Sequence, residues 1–231
     1  MKSPSRVVFT LVTLVMFVAV AALANLTANA RQAPAGAGPG RASAPAPDPT
    51  KPQVLTIAAG TKARYRVNEQ LAGISFPSDA VGTTEAVSGS LVVNPDGTFG
   101  AASKFTVDLK TIKSDQSMRD GYVQNNTLET AKYPTLDLVP KSAKGLPVPF
   151  PSGMGAQAGF QLVTAMTLHG VTKEITWNVV ATFTNASVSG RATTTFDFAT
   201  FNITKPSLAR LLSVDDKIHL EIEFQMTRQA Q

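Results

Sequence analysis

The chain contains no cysteine and only two histidines. Without cysteine there is no disulfide to staple the fold, no thiolate to hold a metal and no thiol nucleophile, so the fold must rest on packing. The two histidines, His169 and His219, lie in separate segments. Neither sits in an H-E-x-x-H helix, and the chain has no G-x-S-x-G nucleophile elbow; these motifs would have supported metal-assisted or nucleophilic hydrolysis. The sequence therefore offers no catalytic residue, no metal set and no cofactor motif. Concentrated basic charge is missing as well. The formal net charge is +5, but it includes Lys2 and Arg6 at the amino terminus, and the other cations are scattered. A nucleic-acid partner, which needs a basic stripe, is set aside.

What is present begins with an export signal. Lys2 and Arg6 precede a run from Val7 to Leu26 whose only polar residues are Thr10, Thr13 and Asn25, and Ala28-Asn29-Ala30 is an A-x-A cleavage pattern. About 20 apolar residues also suffice to span a bilayer as a helix. Residues 1–30 are thus read as a signal peptide cleaved after Ala30, with an uncleaved membrane anchor as the alternative. Either way the protein is exported, to the periplasm or the exterior. Residues 31–53 are mostly Ala, Pro and Gly, too poor in branched and aromatic surface to offset their ordering entropy, and read as a flexible linker. Residues 54–231 remain as one domain, long enough for a sizeable core.

In that domain apolar and polar residues alternate. Lys104-Phe105-Thr106-Val107-Asp108-Leu109 places Phe105, Val107 and Leu109 on one face. The pattern recurs through Phe160–Leu168, Ile175–Phe183 and Ile218–Met226. Period two over this many segments predicts antiparallel strands with one buried and one wet face, in a sandwich or barrel. Asn94-Pro95-Asp96-Gly97 is a turn, and residues 145–155 form a Pro/Gly loop. The polar stretch 114–132, with Gly121 inside it, reads as a short helical insert ending before Tyr133-Pro134. Residues 205–212 read as a second short helix or helical turn. His169 is expected in a hairpin turn with its ring bonded to nearby backbone. His219 is expected on the outer strand face beside Glu221 and Glu223. Asp115 and Arg119, four apart, fit a helix-surface pair; the sharper alternative puts Arg119 at a cavity mouth, where it could attract a polar head group.

Several of these segments resemble the YceI-like family. Met166-Thr167-Leu168-His169-Gly170-Val171-Thr172-Lys173 is similar to its L-T-I-H-G-V-T-K hairpin. Arg119-Asp120-Gly121-Tyr122 and Lys132-Tyr133-Pro134-Thr135 are similar to its R-D segment and Y-P strand entry, and residues 196–206 and 214–222 resemble its closing strands. Tyr122 stands where the family commonly has histidine, and Leu128-Glu129 where it has paired phenylalanines. The resemblance implies an all-β, lipocalin-like antiparallel barrel of about eight strands with a short helical insert. It also implies an interior that holds a long-chain amphiphile, a polyisoprenoid or isoprenoid quinone, without catalysis. On that reading Phe105, Leu109, Leu128, Tyr133, Leu168 and Trp177 are the candidate lining residues and Arg119 the candidate head-group contact. The alternative is a tethered envelope interaction or stress-related protein with a solid core and no lipid. The sequence sets no oligomeric state.

Overall fold

The computed structural model describes residues 44–230 apart from residue 154. The signal or anchor read at 1–30, and the linker as far as residue 43, lie outside the described residues. Eleven strands follow: β1 (Gln53–Ile57), β2 (Lys62–Leu71), β3 (Ser78–Thr84), β4 (Val87–Val93), β5 (Lys104–Asp108), β6 (Thr135–Lys144), β7 (Ala156–Leu168), β8 (Val171–Phe183), β9 (Ser187–Asp197), β10 (Leu211–Val214) and β11 (Lys217–Arg228). Every pairing is antiparallel, in the order β1-β4-β5-β6-β7-β8-β9-β11, and β11 pairs back onto β1. The result is a closed eight-stranded barrel, which leaves no unpaired sheet edge in the ring.

The remaining strands extend the ring at one end. β2 continues β1 after a break at residues 58–61, and pairs with the first half of β11 while β1 pairs with its last residues. Thr61 makes the break tolerable. Its hydroxyl shares its one proton between the carbonyls of Ala58 (3.0 Å) and Gln225 (3.1 Å) and accepts from the Gln225 N–H (3.0 Å), replacing ladder bonds that the bend removes. β3 pairs with β2 and leads into β4 after a matching interruption at residues 85–86.

The barrel thus has two distinct ends. At one end lie the β2–β3 loop, the β7–β8 turn, the β9–β11 connection and the insert between β5 and β6. A helix, α1 (Ser117–Tyr122), runs into a wide helical turn at Val123–Thr127, as the polar stretch predicts. Asp120 Oδ1 fastens it by accepting from both the N–H and the hydroxyl of Ser114 (2.7 Å each). Leu109 and Ile112 from the insert, with Phe198, Phe201 and Ile203, are buried in the core. At the other end lie residues 94–103, the 145–155 connection and the β8–β9 turn.

One local expectation fails. Residues 205–212 are expected to form a short helix or helical turn, but Leu211 and Leu212 begin β10, a short strand paired with Leu71, Gln70 and Glu69 of β2. The helical turn falls earlier, at Phe198–Phe201. Leu208, Leu211 and Leu212 carry a helix-like spacing, but pairing with a strand 140 residues away in sequence (Leu211 with Leu71) decides the conformation.

Candidate ligand-binding cavity

The inward faces of the barrel do not meet. They leave a narrow cavity of about 90 Å³, measured as the space open to the centre of a water molecule. A bound water needs roughly 10–15 Å³ on that measure, so the space is several water-sized groups long and suits a slender chain. The wall comes from all eight ring positions: Leu55 and Ile57 of β1, Val87 and Leu91 of β4, Phe105 and Val107 of β5, Leu138 of β6, Phe160 and Leu162 of β7, Trp177, Val179 and Phe183 of β8, Val188 and Ala192 of β9, and Ile222, Phe224 and Met226 of β11. Alternation along each strand is what delivers them inward. Phe99, Leu146 and Phe150 close the end opposite the insert, and Phe150 packs edge-on against Phe183 with centroids 5.4 Å apart.

Among the described residues no charged group lies on this wall. Thr164 is its one polar residue, and its hydroxyl accepts the indole N–H of Trp177 at 3.1 Å. Both residues are almost wholly buried, at 1% exposure each, so an indole that would otherwise bury an unpaired donor is satisfied internally. The wall therefore offers a ligand only apolar contact.

A smaller cavity of about 40 Å³, measured the same way, lies toward the insert among Ala63, Tyr65, Leu109, Ile112, Leu136 and Leu220. Val107, Trp177 and Ile222 border both spaces. The Tyr65 hydroxyl is buried and makes no hydrogen bond with any described residue. Burial pushes this phenol up to about 12.

The candidate residues divide by height along the barrel. Phe105 and Trp177 line the main cavity, and Leu109 lines the smaller one with Trp177. Leu128, Tyr133 and Leu168 pack at the insert end without lining either. Leu168 is 5% exposed in the core, Leu128 packs against it, and the Tyr133 ring lies 4.6 Å from that of His169. His169 and Gly170 both take positive φ, 51° and 74°, as a two-residue hairpin turn requires. A Cβ at Gly170 would come within 2.6 Å of the Tyr133 ring, so glycine serves both backbone and packing. The His169 ring bonds to no backbone group; its Nε2 lies 3.5 Å from Glu129 Oε1. His219 faces outward and shares a 2.9 Å hydrogen bond with Thr195, while Glu221 and Glu223 are paired with Arg64 at 2.9 and 3.1 Å. Arg119 lies outside both cavity walls. It is 15% exposed and neutralised by Glu69, at 2.7 Å, and by Asp115.

The YceI-like domain profile matches residues 58–226, most of the chain and every ring strand except β1 and the last two residues of β11. The chain belongs to the YceI-like family. Solved structures share its fold at low sequence identity. A polyisoprenoid binding domain from Saccharophagus degradans, implicated in plant cell wall breakdown, is 14% identical with a TM-score of 0.59, covering 77% of this chain and 98% of its own. BcnA of Burkholderia cenocepacia is 13% identical (TM-score 0.52; 74% and 96% covered). The YCEI protein of Campylobacter jejuni is 15% identical (TM-score 0.53; 70% and 91% covered). Among curated proteins no sequence matches significantly. Within this YceI-like domain sequence reasoning missed Phe150, Leu146 and Phe99, because they sit in connections where no alternation marks an inward face.

Proposed function

We propose that this YceI-like barrel is a non-catalytic carrier for a long-chain amphiphilic lipid, a polyisoprenoid or isoprenoid quinone, in the bacterial envelope. The observation that carries the reading is the slender cavity whose wall, among the described residues, bears no charge and whose single hydroxyl accepts the Trp177 indole N–H. Burial of apolar chain stabilises a complex by about 0.8 kcal/mol per CH₂, so ten carbons supply about 8 kcal/mol. Before the cost of immobilising the ligand, that corresponds to a Kd of about 1 μM. The relative from Saccharophagus degradans is itself described as a polyisoprenoid binding domain, and the reading of residues 1–30 as an export signal or anchor supplies the envelope location.

Native mass spectrometry of protein purified from its own host tests the reading. The expected result is an added mass that leaves on denaturation, and re-uptake of geranylgeranyl phosphate or a long-chain quinone by the stripped protein. A ligand-free mass with uptake of neither lipid refutes it.

A second reading, a tethered interaction protein, has one observation in its favour. The β2–β3 loop and the neighbouring 208–212 segment, joined by the Ala72 N–H to the Arg210 carbonyl at 2.8 Å, expose Ile74, Phe76, Leu208 and Leu212 by 47–79%. Exposed apolar side chains grouped on adjacent segments mark contact surfaces. The open cavity is not what this reading needs.

A further inference from the structure

A cation lies just beyond the apolar cavity, outside its lining. Along β11 the side chains of Ile218, Leu220, Ile222, Phe224 and Met226 alternate inward, and Arg228, two residues past Met226, continues that face. Its register partner on β1 is Leu55, a cavity residue, and on the same face of β1 lies Gln53, 5% exposed. The Arg228 guanidinium stands 5.0 Å from the centroid of the Phe150 ring that closes this end. Arg228 and Gln53 therefore form a polar rim directly beyond the wall of Leu55, Phe183 and Met226.

The partners of this guanidinium are all uncharged. Nε donates to the Thr184 carbonyl at 3.0 Å, and the two terminal nitrogens donate to Gln53 Oε1 and to the Pro151 carbonyl. No carboxylate among the described residues forms an ion pair with it. Arg64, Arg119 and Arg191 each have acidic partners, which leaves Arg228 as a half-buried cation without a counter-ion. Such a charge is costly unless something compensates it. Burial pulls the group down to about 10, so it stays charged at neutral pH. A guanidinium has five N–H groups in a planar fork. Three are engaged here, and the fork matches a phosphate or carboxylate edge.

We infer that Arg228, aided by Gln53, is the head-group site of the barrel, and that it takes an anionic head: a phosphate monoester or a carboxylate at the end of the apolar chain. The inference rests on the carrier reading and narrows it. The chain lies along the uncharged wall, and just past its end the anion meets a half-buried cation that has no counter-ion among the described residues. An anionic oxygen takes the place of the Pro151 carbonyl and supplies the missing counter-charge. Arg119, already neutralised by Glu69 and Asp115 at the other end of the barrel, has no comparable call on an anion.

The test uses protein purified from its own host, stripped of lipid, and three ligands with one chain: geranylgeranyl phosphate, geranylgeranoic acid and geranylgeraniol. Kd values come from the fluorescence of Trp177, the chain's single tryptophan. The wild type should bind phosphate or acid about tenfold to a hundredfold more tightly than alcohol, the range of a charge-assisted contact. The stronger of the two anions names the head. Arg228→Gln should bring all three to about the same affinity while leaving the alcohol's unchanged. Arg228→Lys should keep part of the preference, and Arg119→Gln all of it. If the wild type binds alcohol as tightly as both anions, the site is refuted and the carrier reading stands. If Arg228→Gln weakens alcohol and anions alike, the arginine only braces the 145–155 connection and the site is again refuted. Binding of none of the three overturns the site, and overturns the carrier reading as well if a long-chain quinone is also refused.

Discussion

Replacing Ala192 with leucine separates an open cavity from a filled core. Ala192 stands midway along β9, opposite Val179 of β8 and Ile222 of β11, and its side chain faces the cavity. Leucine adds three carbons, each comparable to a water, which needs roughly 10–15 Å³ on the measure that gives this cavity about 90 Å³. Together they claim about a third to a half of the space that is open. In a close-packed core, added methylenes force neighbours off their rotamers and cost about 1–3 kcal/mol. Placed in an empty apolar space they instead gain up to about 0.8 kcal/mol each, or roughly 2 kcal/mol. The stripped variant should thus be as stable as wild type or more so by urea denaturation, with an unchanged slope. Its lipid affinity should fall about fiftyfold, the equivalent of three methylenes of chain excluded. A variant destabilised by 1–3 kcal/mol on this scale, yet binding geranylgeranyl phosphate like wild type, would show that the ligand does not occupy this space.

Three further outcomes follow from single contacts. Thr164→Val removes the acceptor of the buried Trp177 indole N–H and should cost about 1–3 kcal/mol in urea denaturation; an unchanged midpoint would contradict the packing described. Tyr65, held near 12 by burial, keeps its proton where the unfolded chain has lost it, so its contribution to stability declines as pH rises from 10 toward 12. The phenolate absorbance difference between wild type and Tyr65→Phe should appear only toward pH 12, and its appearance near the ordinary tyrosine value would refute the burial. Gly89→Ala places a Cβ 2.1 Å from the Lys104 carbonyl at a φ of +127°. It should lower the melting temperature by several degrees, about 1–3 kcal/mol, and a variant as stable as wild type would mean the β4–β5 pairing is wrong.

Much of this architecture was legible because alternation is a local signal. The inward faces of β5, β7, β8 and β11 can be read from Phe105–Leu109, Phe160–Leu168, Ile175–Phe183 and Ile218–Met226 without knowing what they pair with. Alternation gives the face of a residue but not its height along the barrel. That is why Leu128, Tyr133 and Leu168, apolar and near the right segments, pack under the insert while Phe105 and Trp177 line the cavity. β10 was illegible for a different reason, since its conformation is imposed by β2 from far away in the chain. Arg228 was overlooked although its signal was present. Counting by twos from Ile218 reaches it, but a charged residue after the last apolar one reads as a solvated end.

Trp177 also bears on how fast a ligand can move. Its indole, with Val107 and Ile222, stands between the two chambers and is pinned by the Thr164 hydroxyl. A short chain fits within one chamber and leaves the partition in place. Where a longer one enters the second chamber past the indole, the indole turns aside and that hydrogen bond breaks. Exchange of long ligands is therefore an activated event. Dwell time should rise in a step, rather than smoothly, once the chain outgrows the first chamber.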